Sequence, residues 1–203
     1  MREGEPGKDR DLGPDADPES PVGSVDPERI ARTIALTMLE RQPRTRAELA
    51  RGMARRGVPE DAATAVLDRF TEVGLIDDAA FARAWVGSRQ AGRGLARRAL
   101  RAELHAKGVD AEVAAEAVAL VDEEDERSAA RDLVRRRLSG MHRLDRATVT
   151  RRLMGMLARK GYSGGLAAAV VREALDQRDL ERGGEWSAGS ADPLDAGEDA
   201  LLP

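Results

Sequence analysis

The chain has 203 residues, 41% hydrophobic but only 2% aromatic, with no cysteine and a net charge of −4. No cysteine means no disulfide framework, thiolate metal site or cysteine nucleophile, and a core of Leu, Val, Ile, Met and Ala suits close helix packing. The stretch MREGEPGKDRDLGPDADPES has no apolar signal region, and no run approaches the roughly 18 apolar residues of a membrane span. The cytoplasm is the expected compartment, and no membrane partner is expected.

Residues 1–27 are rich in Pro, Gly, Asp and Glu and read as a disordered acidic tail, because they cannot bury enough surface to offset the entropy of ordering. From 28 the pattern is helical and repeats. Aligned on Gly57, Gly108 and Gly161, which are 51 and 53 residues apart, three segments superimpose. Leu49 and Met53, Leu100 and Leu104, Leu153 and Leu157 form the stripe of a middle helix, since positions four apart share one face. The glycine closes that helix with positive φ. Val58, Val109 or Tyr162 follows to staple the next helix, which Pro59 starts from its first turn and Asp110 or Ser163 starts as N-cap. Ala62 and Val66, Val113 and Ala117, Leu166 and Val170 are its inward positions. Nineteen residues before each Met/Leu anchor, Ile34, Trp85 and Leu138 mark the first helix of each unit, expected near 28–40, 78–90 and 127–140 without gaps.

The expected architecture is therefore all-α: three-helix repeats at 28–77, 78–126 and 127–178, and a second disordered acidic tail at 179–203 in which Trp186 stands alone. One unit is not expected to bury its apolar face alone, so the three should stack into an elongated curved array. At the first junction, GLIDDAAFARAW, Asp77 or Asp78 caps the incoming helix and the other favours its positive end. Adjacent carboxylates at a helix start do not converge on one reaction centre, so the pair is not a catalytic dyad. Phe81 and Trp85, four apart, are expected to face inward as the largest anchors.

Candidate chemistry is sparse. His105 and His142 lack partners at metal-ligand spacing, and AGRGLARR at 91–98 lacks the Lys-Ser/Thr of a phosphate loop and joins two helices as a flexible connection. DEEDE at 122–126 reads as a solvated linker or a helix start. No catalytic residue, cofactor or metal is expected. The charge is uneven, however. Residues 1–28 hold 9 acidic and 3 basic side chains and 179–203 hold 7 and 1, so of the 37 and 33 in the whole chain the body keeps 21 and 29, a net +8. A basic body between acidic ends suits a polyanionic partner. Arg93, Arg97, Arg98 and Arg101 lie at helical spacing; Arg131, Arg135, Arg136 and Arg137 follow on the next unit, and Arg151, Arg152, Arg159 and Lys160 flank its middle helix. Together they could form a stripe along one side. With no aromatics between them, base stacking should not dominate.

One reading of the first repeat is a winged-helix DNA-binding protein, since TRAELARGMARRGVPEDAATAVLDRFTEVGLID has a helix-turn-helix cadence, although the Ala-rich AAFARAW stands where a wing needs strands. The other reading rests on resemblance. GLIDDAAFARAWVGSRQAGRGLARRALRAELHAKGV resembles the characteristic segment of the RecX family, bacterial regulators of the RecA recombinase, through G-L-I-D-D-x-x-F-A, the pair Ser88–Arg89, Gly94, and E-L-x-x-K-G-V from Glu103 through Lys107 to Val109. ARKGYSGGLAAAVV is similar to the family's third repeat, and the likeness covers about 29–176. It implies a non-enzymatic, monomeric regulator that binds RecA and its filaments on single-stranded DNA, with weak direct DNA contact. Such a protein inhibits ATP hydrolysis, strand exchange and filament growth, restraining recombination and the SOS response. The expected partner-binding residues are Arg89, Arg93, Arg97, Arg98, Arg101, Lys107, Arg135, Arg136, Arg151, Arg152, Arg159 and Lys160.

Overall fold

Capping chemistry sets the helix boundaries. The computed structural model describes residues 26–188, with side chains to 181, and holds nine α-helices among them. They are α1 (Pro27–Arg41), α2 (Arg46–Ala54), α3 (Glu60–Glu72), α4 (Asp78–Arg93), α5 (Arg97–Lys107), α6 (Ala111–Ala119), α7 (Glu123–Leu138), α8 (Arg146–Arg159) and α9 (Gly164–Ala188). Asp26, Thr45, Asp77, Asp110, Asp122 and Asp145 each accept a first-turn amide with the side chain, supplying a donor that the helix leaves unpaired. Pro59 sits at the N-cap of α3, one position before the expected first turn. The second and third helices of each unit are joined by one device. Gly57, Gly108 and Gly161 have φ of 74, 82 and 90°, and the next amide (Val58, Val109, Tyr162) returns to the carbonyl of Met53, Leu104 or Leu157. DEEDE is the cap and first turn of α7. After α3 the chain passes through Gly74–Asp77 directly into α4, so no strand forms there to make a wing.

The middle-helix stripe is as expected: Leu49, Met53, Leu100, Leu104, Leu153 and Leu157 are fully buried. The first helices are turned from the expected facing. Ile34, Trp85 and Leu138 are only half-buried, and the inward pairs are Ala31 and Ala35, Ala82 and Val86, Ala130 and Val134. Small side chains let each first helix lie close against the third helix of its own unit. The inward pairs are 51 residues apart between units one and two but 48 apart between units two and three. The gapless register therefore fails in unit three, where the Ser139–Asp145 connection is longer than Gly94–Ala96.

The apolar interior is also divided. Buried residues between Ala31 and Ile76 form one cluster, those between Ala82 and Val121 a second, and those from Ala130 to Leu175, joined by Ala96, a third. Each unit thus has a cluster of its own, and Ala96 of unit two completes the third. Side-chain hydrogen bonds and ion pairs between units join only neighbours among the described residues, so the order is linear. The Gly94–Ala96 connection is packed rather than loose: Leu95 and Ala96 are buried, and a Cβ on Gly94 would meet Leu133 Cδ1 at 2.9 Å. α9 runs ten residues past the expected end of unit three, supported by Arg146 ion pairs to Asp176 and Asp179 and by Gln177 bonding Glu181. Residues 1–25, 189–203 and the Trp186 side chain, where the tails and the lone aromatic were read, lie outside the described residues.

Candidate partner interface

The twelve basic residues divide according to what stands beside them, and four of them build the junctions. The end of α5 seats on the start of α2. The Thr45 hydroxyl donates to the Lys107 carbonyl at 2.8 Å while accepting the Glu48 amide at 3.1 Å, and Arg51 Nη2 donates to the same carbonyl at 3.0 Å. A helix C-terminus with its unpaired carbonyls thus meets a helix N-terminus with opposite partial charge. Lys107 Nζ then reaches Glu48 Oε1 at 2.8 Å and lies 4.2 Å from the Trp85 ring centroid. Arg89 covers that ring at 3.9 Å and pairs with Glu103 at 3.3 Å. Glu103 also accepts Trp85 Nε1 at 2.9 Å and Arg93 Nη1 at 3.1 Å.

Phe81 and Trp85 pack against the second cluster, as expected of inward-facing residues, but are only half-buried. They stack on each other with centroids 5.7 Å apart and form a half-buried platform for the cations. The Trp85→Ala substitution should cost about 1–2 kcal/mol in chemical unfolding, below the roughly 3–5 kcal/mol of a fully buried tryptophan.

The second junction repeats the first. Ala96 N donates to the Lys160 carbonyl at 3.0 Å, and Lys160 Nζ bonds the Arg93 carbonyl. Burial, with Arg93 and Arg136 nearby, lowers the Lys160 pKa. Tyr162 donates its hydroxyl to the Gly94 carbonyl at 3.2 Å, and burial with the nearby Glu126 charge pushes it up to about 12. Arg97 Nε pairs with Glu126 at 3.0 Å.

A carboxylate from each following unit also caps the preceding middle helix. Asp78 accepts Arg46 N at 2.9 Å, and Glu126, 48 residues on, accepts Arg97 N at 2.9 Å. The GLIDD pair is thus resolved: Asp77 caps its own helix through Ala80 N at 2.7 Å, and Asp78 caps its neighbour's. Sequence reading missed these carboxylates, although the 48-residue spacing that relates Ala82 to Ala130 also relates Asp78 to Glu126.

The two acids of the first junction respond oppositely to pH. Burial raises Glu48, but the Lys107 hydrogen bond, the Thr45 amide and the Lys107 and Arg44 charges outweigh it and hold its pKa below the ordinary 4.5. Burial leaves Asp78 above its ordinary 3.8 despite the Arg46 amide. Glu48 adds stability that is complete above its unfolded pKa and is lost as pH falls through the lowered one, whereas the Asp78 contribution rises on acidification. The Glu48→Gln variant should therefore melt below the parent at about pH 7, and the gap should close towards about pH 3.

The remaining basic residues are exposed. Arg135 pairs with Asp132 beside it on α7. Among the described residues no carboxylate lies within 4.0 Å of Arg98, Arg101, Arg136, Arg151, Arg152 or Arg159. Arg98 and Arg101 line a groove of about 500 Å³ with Ala115, Glu126, Gly161 and Ser163, where unit two meets unit three. Arg136 stands by Arg93 and Lys160 at that same junction. Arg151, Arg152 and Arg159 are exposed on α8. Such a surface can hold anionic groups by charge and by bidentate guanidinium bonds. Among the described residues no helix is long and apolar enough to cross a membrane.

Models of three RecX domains match this chain: the first three-helix domain over residues 31–70, the second over 77–118 and the third over 123–171. The regulatory protein RecX of Streptomyces coelicolor is 56% identical over 152 residues, covering 75% of this chain and 81% of that protein. Its counterpart in Thermobifida fusca is 52% identical over 164 residues, covering 79% and 89%. The crystal structure of RecX from Lactobacillus salivarius superimposes with a TM-score of 0.67 at 20% identity, over 73% of this chain and 96% of that one, a likeness of fold.

Proposed function

The chain belongs to the RecX family, and on that premise we propose that it binds RecA and its filaments on single-stranded DNA and inhibits ATP hydrolysis, strand exchange and filament growth. The observation that carries the reading is the division of the basic residues. Arg97, Lys107, Lys160 and the Arg93 carbonyl join neighbouring units and Arg89 pairs within unit two, while Arg98, Arg101, Arg136, Arg151, Arg152 and Arg159 are exposed with no carboxylate beside them among the described residues. A linear body can lie along a polymer and touch more than one of its subunits, and unpaired guanidinium groups can meet recombinase carboxylates or DNA phosphates. It needs no chemistry of its own. It acts by binding one filament state better than another, and that differential affinity sets the inhibition. Recombination and the SOS response are restrained as a result, in the cytoplasm.

Co-sedimentation with preformed RecA filaments tests this. The protein should pellet with the filament and remain in the supernatant with RecA in the absence of nucleotide and DNA. If it pellets equally with bare single-stranded DNA and not with additional RecA, it is a DNA-binding protein and the recombinase reading fails.

A further inference from the structure

We propose that a second copy of this chain docks its first unit onto the third unit of the first copy, where a fourth repeat would sit. Both junctions within the chain are built from the same three parts. The first is an uncovered helix start with arginine as its first residue: Arg46 of α2 and Arg97 of α5. The second is a glycine-ended helix that seats on it. A Cβ on Gly108 would collide with the Cβ of Ala47, and one on Gly161 would meet Ala99 N at 2.7 Å, so both contacts depend on a bare glycine against a small residue. The third is a carboxylate from the incoming unit on the arginine amide, Asp78 on Arg46 and Glu126 on Arg97.

The two ends of the chain carry the same parts unused. α8 starts Asp145-Arg146-Ala147-Thr148, as α2 starts Thr45-Arg46-Ala47-Glu48. In each, the arginine side chain is tied to the third helix of its own unit, Arg46 to Asp68 and Arg146 to Asp176 and Asp179. Ala147 is exposed where Ala47 is covered, and the Arg146 amide has no hydrogen-bond partner among the described residues. At the other end, nothing among the described residues lies within 4 Å of a Cβ placed on Gly57, and Arg56 is exposed where its equivalents Lys107 and Lys160 are half-buried. Glu28 stands on α1 one position from the place that Asp78 occupies on α4. The α8 start lies 15 residues before its glycine, against 11 in α2 and α5. That one extra turn, about 6 Å, moves the socket outward without closing it.

The contact is heterologous, joining two different surfaces, so it extends head to tail. It is also small, and without the covalent link that holds the inner junctions it is weak, so the chain is monomeric when dilute. Copies aligned on a shared polymer would meet at a raised effective concentration.

Sedimentation velocity on the full chain from about 5 to about 500 µM tests this, since small polar interfaces dissociate in that range. The weight-average mass should rise with concentration. Ala147→Trp fills the socket, and Gly57→Asn adds a Cβ to the plug while tolerating positive φ. Each variant should weaken self-association at least about tenfold with its helical circular dichroism and thermal midpoint retained. Glu28→Lys, at an exposed position, should weaken it too and serves if Gly57→Asn unfolds. The decisive sample is an equimolar mixture of the socket variant and a plug variant. Each keeps one good end, so the mixture should form dimers at parent affinity and nothing larger. A parent that stays monomeric throughout, or a mixture no stronger than either variant alone, overturns the proposal. These outcomes are read without recombinase or DNA and do not depend on the proposed function.

Discussion

Reversing charge at Arg98 and Arg101 together, as Arg98→Glu/Arg101→Glu, is expected to raise the concentration needed for half-inhibition of the recombinase by about ten- to a hundredfold while leaving the thermal midpoint unchanged. Both side chains are exposed, and neither has a carboxylate within 4.0 Å among the described residues, so the fold loses no ion pair. Against an acidic or phosphate surface each reversal replaces an attraction with a repulsion, worth about 1 kcal/mol or more apiece at a partly hydrated interface. The neighbouring Arg97 provides the contrast. Its guanidinium pairs with Glu126, whose side chain is only 12% exposed, so Arg97→Ala should lower the thermal midpoint by leaving that carboxylate without its charge partner. If the double reversal inhibits like the parent, the Arg98–Arg101 groove is not part of the interface.

The largest effect on stability is expected from Leu153→Ala. Leu153 is fully buried within the cluster that α7, α8 and α9 form with Ala96, and truncating such a leucine costs about 2–5 kcal/mol. Because the first cluster shares no residue with the third, which unit two enters only through Ala96, the loss should stay local. In hydrogen exchange α7–α9 should lose protection while α1–α3 keep theirs. Equal loss of protection from α1 to α9 would mean that the units fold as one cooperative core.

Much of this fold is legible in the sequence because its strongest constraints are periodic. Leucine or methionine pairs four apart, each followed by a glycine and an apolar staple, mark three middle helices. All six of those side chains are fully buried. The facing of the first helices was not legible from side-chain size. Trp85 looks like the deepest anchor, but the close packing of α4 on α6 buries Ala82 and Val86 further, and the indole, packed at the edge of the cluster, lies beneath Lys107 and Arg89. The regular register hid the longer α7–α8 connection, which shows only when the small pairs Ala82/Val86 and Ala130/Val134 are compared. The roles of the arginines were illegible for a different reason. Arg97 and Arg98 are adjacent and chemically identical, and what separates them is a carboxylate 29 residues further along the chain. Lys107 finds Glu48 across 59 residues in the same way.

The most direct test of the regulator reading is single-stranded-DNA-dependent ATP hydrolysis by the cognate RecA, titrated with this protein and with residues 26–188 alone. The account predicts inhibition by both chains, reached well below one regulator per recombinase. Unchanged hydrolysis at stoichiometric excess of folded protein would contradict it.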